Sequence, residues 1–360
     1  MIKENEVILK QVNQRETGFE ILRIISMFLI TCVHVLNYGG MLEFAGGGTL
    51  ESQFMQKLIY SFFTTSVNIF ILISGYFLVK SKFKLKKLIK LWFQVFFYSL
   101  VSYVVTIIVF NVTFDKQIFI GSLIPIINNN FWFISTYFLL YLFSPFLNNM
   151  IKNTNKKQYK ILMIGILIFV YLTSRFRISN VASLNIGYSF LWFCVLYIVG
   201  AYFKIYPPQI KKNLIFLIYI FCIILTWIIF LFPPADSLGF FNFSVENYNS
   251  PLVFIASVSI FLLFRNIKIK SEKFNKVICF LSACMFGIYL FQESYIKDFL
   301  YFDVIKVQNF YNSSIQPWIN VLYIAMLIFL LGLIVEIIRK FVVIIFNKII
   351  NKKINKKINK

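Results

Sequence analysis

Histidine is all but missing from this chain of 360 residues: His34 is the only one, so a metal centre built on clustered imidazoles is excluded. Carboxylates are scarce too, 14 against 36 lysines and arginines, for a formal net charge of +22. The five cysteines, Cys32, Cys194, Cys222, Cys279 and Cys284, fall inside apolar segments without metal-ligand spacing. They read as small buried hydrophobes rather than disulfide partners, and no metal site is expected. Long polar stretches are absent, so neither a soluble domain nor a long linker is expected. The first apolar run is not followed by a small-residue cleavage site, which marks a retained span rather than a signal peptide.

What fills the chain instead is hydrocarbon. Hydrophobic residues make up 59% and aromatics 19%, and the mean hydropathy is +0.77. A soluble domain of this length has no use for so much apolar surface, whereas a bundle of bilayer-spanning helices does. Apolar runs occur near 19–38, 57–79, 88–111, 131–150, 160–174, 187–203, 213–232, 251–264, 277–296 and 317–338. The expected fold is an all-α, polytopic membrane bundle of about ten transmembrane helices. The runs at 160–174 and 251–264 are short for a hydrocarbon layer of about 30 Å.

The basic excess does not point to nucleic acid, because it is broken into short clusters between apolar runs. The segments 80–90, 151–160, 204–212 and 265–276 hold six, four, three and five Lys/Arg. Lys3, Lys10 and Arg15 precede the first run, and eight more follow from Arg339 onward. The alternate segments are nearly bare: none in 39–56 or 233–250, Lys116 in 112–130, Arg175 and Arg177 near 174–186, Lys297 and Lys306 in 297–316. By the positive-inside rule both termini are expected in the cytoplasm, in a multi-pass protein of the cell membrane. The lysine clusters also suit anionic lipid head groups. Three regions result: a cytoplasmic segment 1–18, a membrane domain 19–338 and a basic tail 339–360. From Asn347 the tail repeats Ile-Asn-Lys-Lys, a pattern shared by a basic interfacial helix and by a solvated polybasic tail.

The first run carries the candidate chemistry. Arg23 precedes His34 by eleven positions, three helical turns plus about 20°. Glu20 and Thr31 fall on the same stripe. Ionisable groups at membrane depth face protein or a wet cavity, so the stripe reads as the wall of a polar site. Anchoring of the helix end by Glu20 and Arg23 yields the same spacing, and a one-turn Glu/Arg pair is a natural structural pairing.

Glu20-Ile-Leu-Arg23 followed by ten residues and His34 resembles the opening motif of the membrane acyltransferase-3 family. These are multi-spanning O-acyltransferases that acetylate bacterial surface polysaccharides. Asn68 to Val79 is similar to the family's aromatic-rich stretch ending in Ser-Gly-aromatic, here Ser74, Gly75 and Tyr76. A Ser-Gly pair also permits close helix packing. Phe83-Lys-Leu-Lys86-Lys87-Leu-Ile-Lys90 resembles a family loop in which phenylalanine precedes three arginines. Here the three are Lys86, Lys87 and Lys90, which offer a phosphate point charges without the bidentate fork. Phe131-Trp132-Phe133 through Tyr137 to Pro145 is similar to a fourth-span family pattern. Phe286-Gly287-Ile288-Tyr289-Leu290 resembles a late stretch that often ends in a second histidine, which Phe291, Gln292 and Glu293 replace. The matches run in family order from about residue 19 to 292.

The resemblance implies transfer of an acyl group, usually acetyl from acetyl-CoA, to a hydroxyl of a cell-surface polysaccharide such as capsule or of its lipid-linked precursor. The expected partners are therefore acyl-CoA, a glycan and membrane lipids, with no bound cofactor. A sugar hydroxyl is a poor nucleophile until a base takes its proton, and an imidazole titrating near 6.5 suits that task. His34 is thus the candidate base or acyl carrier, with Arg23 and Glu20 beside it. Lys86, Lys87, Lys90, Ser74 and Tyr76 are candidates for the donor, and Trp132, Arg175, Arg177 and Glu293 for the acceptor. The loop from Pro233 to Ser250, with Asp236, Phe240, Phe241, Phe243, Glu246 and Tyr248, suits a sugar-binding lip or an interfacial aromatic belt. A transporter or flippase of lipid-linked sugars predicts paired repeats or broken helices in two halves, and no convincing repeat is found. A polysaccharide polymerase predicts its polar residues in a large outer loop rather than in the first span.

Overall fold

Backbone amides in hydrocarbon have no water to bond, so an apolar chain must close its hydrogen bonds within helices. The computed structural model describes residues 16–41, 50–128, 130–175, 187–232, 247–311 and 317–358, and among them there is no strand. The helices are α1 (Thr17–Asn37), α2 (Leu50–Phe63), α3 (Ser66–Leu78), α4 (Leu85–Phe110), α5 (Lys116–Leu123), α6 (Trp132–Lys152) and α7 (Lys156–Arg175). They continue with α8 (Phe190–Ile205), α9 (Lys212–Leu231), α10 (Pro251–Arg265), α11 (Glu272–Ser282), α12 (Met285–Gln292), a single turn α13 (Lys297–Phe299) and α14 (Pro317–Ile358).

Local sequence explains where several of these begin and end. Asp115, Ser189 and Ser271 sit at the N-caps of α5, α8 and α11, each accepting from backbone amides of the first turn. Pro251 opens α10, where its missing amide costs nothing. Asn111 ends α4 in the left-handed region, with φ of 54°, a conformation asparagine tolerates.

Helix lies in every one of the ten apolar runs, but among the described residues six segments are long and apolar enough to cross a bilayer. These are Thr17–Asn37, Phe54–Leu78, Leu85–Phe110, Lys212–Leu231, Glu272–Gln292 and Trp318–Phe346. Phe190–Ile205 and Pro251–Arg265 are shorter apolar helices. Sixteen residues of α8 rise only about 24 Å. That length suits a helix walled by protein rather than lipid: Trp192 to Ala201 are all buried, whichever way they point. The same holds for Ile69, Ile71, Leu72 and Ile73 of α3, so α3 and α8 form the centre of the bundle.

Glycine sets how closely those two approach. A Cβ on Gly75 would lie 2.2 Å from the Tyr197 carbonyl oxygen, and one on Gly200 would lie 2.1 Å from that of Leu72. Two backbones pack directly on each other at reciprocal small residues, the device common in membrane bundles. Around the periphery the pattern inverts. Ile108 is 71% exposed, Phe221 64% and Phe341 64%. Side chains of this kind in such numbers suit acyl chains as solvent, and the composition requires the same.

The five cysteines are all buried and none is in a disulfide. Among the described residues no group of three or more His, Cys, Asp or Glu is arranged to hold a metal. The basic tail runs as a helical continuation of α14 as far as Ile358.

Candidate active site

A cavity of about 660 Å³ runs beside α1, which lines it from Glu20 to Tyr38. Glu20 and Arg23 line it beside Ser282, and His34, Asn37 and Tyr38 line it further along α1, near Trp132, Tyr188 and Tyr248; Lys87 is also in the lining. Eleven residues of helix separate Arg23 from His34, about 16 Å. Of the stripe read from spacing, Glu20, Arg23 and His34 line the cavity, while Thr31 donates to the Met27 carbonyl and accepts from Gln292 behind it.

At the first end, Arg23 Nη1 donates to Glu20 Oε1 at 2.8 Å, and the guanidinium lies 5.5 Å from the Phe77 ring centroid. Glu20 is buried and its second oxygen accepts from the Ser282 hydroxyl. Ser282 ends α11, and the chain breaks there before resuming as α12 at Met285. Glu20 thus does two things: it holds the arginine, and it ties α1 to the break in the α11–α12 span.

At the far end His34 is buried, and its Nε2 lies 3.0 Å from Oε1 of Glu293. Glu293 caps the C-terminus of α12. The Tyr38 hydroxyl lies within hydrogen-bonding reach of the same carboxylate. Lys297 stands 4.0 Å over the Tyr38 ring. Gln292, fully buried, donates to the Thr31 hydroxyl at 3.3 Å. Around this point further buried polar atoms lie without a well-formed hydrogen bond: His34 Nδ1, Gln292 Oε1 and the hydroxyls of Tyr289 and Tyr301. Buried polar atoms are nearly always hydrogen-bonded, so this concentration marks where the polar groups of a ligand, or water, are received.

Three aromatic rings frame the mouth beside His34. Trp132 lies 4.3 Å from Tyr188 between ring centroids, Tyr188 5.1 Å from Tyr248, and Trp132 6.2 Å from Tyr248 with planes only 16° apart. Asn68 fixes this frame from the bundle centre. Its Nδ2 donates to the Tyr248 carbonyl at 2.8 Å, and its Oδ1 accepts from Trp192 Nε1 at 3.0 Å.

Not every candidate converges here. Of the lysines, Lys87 lines the cavity, while Lys86 and Lys90 are exposed outside it. Ser74 lines the cavity and donates to the Phe70 carbonyl. Tyr76 turns away: its hydroxyl donates to Glu16 at 3.0 Å and its ring packs on Phe19 and Phe261. The reason is helical geometry, since consecutive residues of a helix point about 100° apart. Glu293 stands behind His34 rather than in the lining. The Arg175 side chain, Arg177, and the loop residues Asp236, Phe240, Phe241, Phe243 and Glu246 lie outside the described residues.

Spacing did not reveal Ser282, Tyr188 or Glu336. Glu336 on α14 is fully buried and accepts from Tyr98 at 2.8 Å and from Arg339 at 2.7 Å through both carboxylate oxygens. An acid within the last apolar run was its available signal, by the same rule that singles out Glu20.

The site thus combines apolar membrane-length helices, a cavity and a His–Glu contact at its lining. The comparison of sequences makes this specific. Residues 16–338 match the family model described as an acyltransferase domain, and the chain belongs to that family, acyltransferase-3. No curated protein and no solved structure matches it.

Proposed function

We propose that this protein is a membrane O-acyltransferase that moves acetyl from acetyl-CoA to a hydroxyl of a cell-surface polysaccharide or of its lipid-linked precursor. The observation that carries the reading is the 3.0 Å contact between His34 and Glu293 among unpartnered polar atoms. Glu293 orients the imidazole and offsets the charge it gains on taking a proton, the role of a carboxylate behind a catalytic histidine. His34 removes the proton of the acceptor hydroxyl as its oxygen attacks the thioester carbonyl. The tetrahedral adduct collapses, the C–S bond breaks, and the departing thiolate recovers the proton from the imidazolium. No bound cofactor is called for.

The two ends of the cavity fit the two substrates. Arg23 and Lys87 suit the carbonyls and phosphates of the donor at one end. Trp132, Tyr188 and Tyr248 offer flat apolar faces for a sugar ring beside His34. In our reading the chain crosses the cell membrane ten times with both termini in the cytoplasm, because basic clusters alternate across every connection. Arg23 then faces the cytoplasmic donor and the aromatic frame faces outward. The test is His34→Ala, with membrane abundance and glycan O-acetyl content measured together, the latter by NMR. Loss of a general base reduces the rate about 10²–10⁴-fold, so near-complete loss of O-acetyl at normal abundance is expected. Full acetylation by the variant would sink the mechanism.

A further inference from the structure

Tyr289 is a polar residue of the cavity wall with no part in the proposed reaction. Its side chain lines the cavity, the residue is only 4% exposed, and its hydroxyl hydrogen has no acceptor. A phenol O–H carried into an apolar bundle without an acceptor is costly, and such hydroxyls ordinarily find one. Its position is defined by the helix: Tyr289 precedes Glu293 by four residues, so the two share a face of α12 directed at α1. Tyr289 is therefore one turn from the His34–Glu293 pair, on the side of Ser282 and Arg23.

A second set of donors converges on the same place. Trp132, Phe133 and Ile134, the first three residues of α6, all line the cavity. The N-cap of α6 is Phe131, which supplies no side-chain cap. The opening amides of the helix thus receive no cap from Phe131 and bring the positive end of its dipole to the cavity. The Phe133 backbone amide comes close to the Tyr289 hydroxyl, and the two rings meet edge to face at 5.5 Å.

We infer that the Tyr289 hydroxyl, supported by the first-turn amides of α6, is the oxyanion-binding donor for the thioester carbonyl. The inference rests on the acyl-transfer reading above and assigns a catalytic residue to it. When the acceptor oxygen bonds to the carbonyl carbon, the π electrons move onto the carbonyl oxygen. That oxyanion accepts a hydrogen bond from Tyr289, which keeps its proton throughout. The electrons return as the C–S bond breaks. Fixed donors aimed at charge that develops only in the transition state act on kcat far more than on binding. The location agrees with the direction of approach, since a thioester entering from the Arg23 end meets Tyr289 before His34.

The experiment uses membranes carrying the full chain, assayed for release of CoA thiol from acetyl-CoA in the presence of the native glycan. A second donor is the dithioester analogue of acetyl-CoA, in which sulfur replaces the carbonyl oxygen and accepts hydrogen bonds poorly. Tyr289→Phe removes the hydroxyl and keeps the ring against Phe133, so abundance is retained. The expected result is a kcat about 10²–10³-fold lower with KM for acetyl-CoA little changed, the range for losing one oxyanion donor. The wild-type preference for the oxygen thioester over the dithioester should also shrink in the variant, an effect that mere loss of packing does not produce. Retention of kcat, or loss of kcat with an undiminished oxygen preference, overturns the assignment. A wild-type chain inert toward acetyl-CoA overturns the acyl-transfer reading itself, and a wild-type chain that is active while Tyr289→Phe matches it overturns only this one.

Discussion

Replacing Glu293 with glutamine changes one oxygen for an amide nitrogen and removes one charge, leaving the volume behind His34 filled. In the structure the carboxylate oxygen and the imidazole Nε2 are 3.0 Å apart. At an effective dielectric near 20, opposite unit charges at that separation attract by about 5 kcal/mol. This attraction exists only when His34 is protonated, the state it reaches as the acceptor hydroxyl is deprotonated. It therefore stabilises the transition state and not the resting site. A hydrogen bond from the histidine to the surviving amide oxygen returns about 1 kcal/mol. The net loss of about 4 kcal/mol corresponds to a rate about 10³-fold lower. The assay is release of CoA thiol from acetyl-CoA by membranes, normalised to the amount of inserted protein. Because Gln and Glu are near-isosteric, abundance and unfolding temperature in detergent should match wild type. Glu293→Gln membranes turning over within about threefold of wild type would refute the pairing as a catalytic device. A collapse in abundance would make it a structural contact instead.

Other consequences follow from particular contacts. Gly75→Ala sets a methyl group 2.2 Å from the Tyr197 carbonyl, a backbone atom, so α3 and α8 must separate; a loss of about 1–3 kcal/mol is expected, read as a lower unfolding temperature in detergent, and an unchanged temperature would contradict the close packing. Glu336→Ala leaves the largely buried Arg339 without its carboxylate, which should cost about 3–5 kcal/mol; a change under about 1 kcal/mol on the same measurement would mean that the pair is not structural. For topology, a reporter fused after Lys360 should be active only in the cytoplasm and one inserted near Phe243 only outside, and reversal at either position would undo the charge argument.

The sequence alone reached as far as one helix at a time. An apolar fraction of 59% in runs of helical length leaves membrane helices as the available architecture, because unpaired amides are not tolerated in hydrocarbon. The spacing of Glu20, Arg23 and His34 defines their common face and their separation along α1 through the helical repeat. The Glu20–Arg23 pairing was legible for the same reason, being local. What lies across from that face was not. Periodicity says that a polar stripe needs a partner and is silent about which residue supplies it. Glu293 meets His34 because the span from Glu272 to Gln292 is broken after Ser282 and α12 then aligns its last turn with α1. Tyr76 and Ser74 show the same limit within one motif: two residues apart on α3, one faces Glu16 and the other the cavity. Lys87 belongs to the cavity while Lys86 and Lys90 do not, a distinction set by how α4 is rotated in the bundle. Local hydrogen bonding and solvent choice are written into the chain, whereas the rotation and register of packed helices depend on contacts between residues hundreds of positions apart.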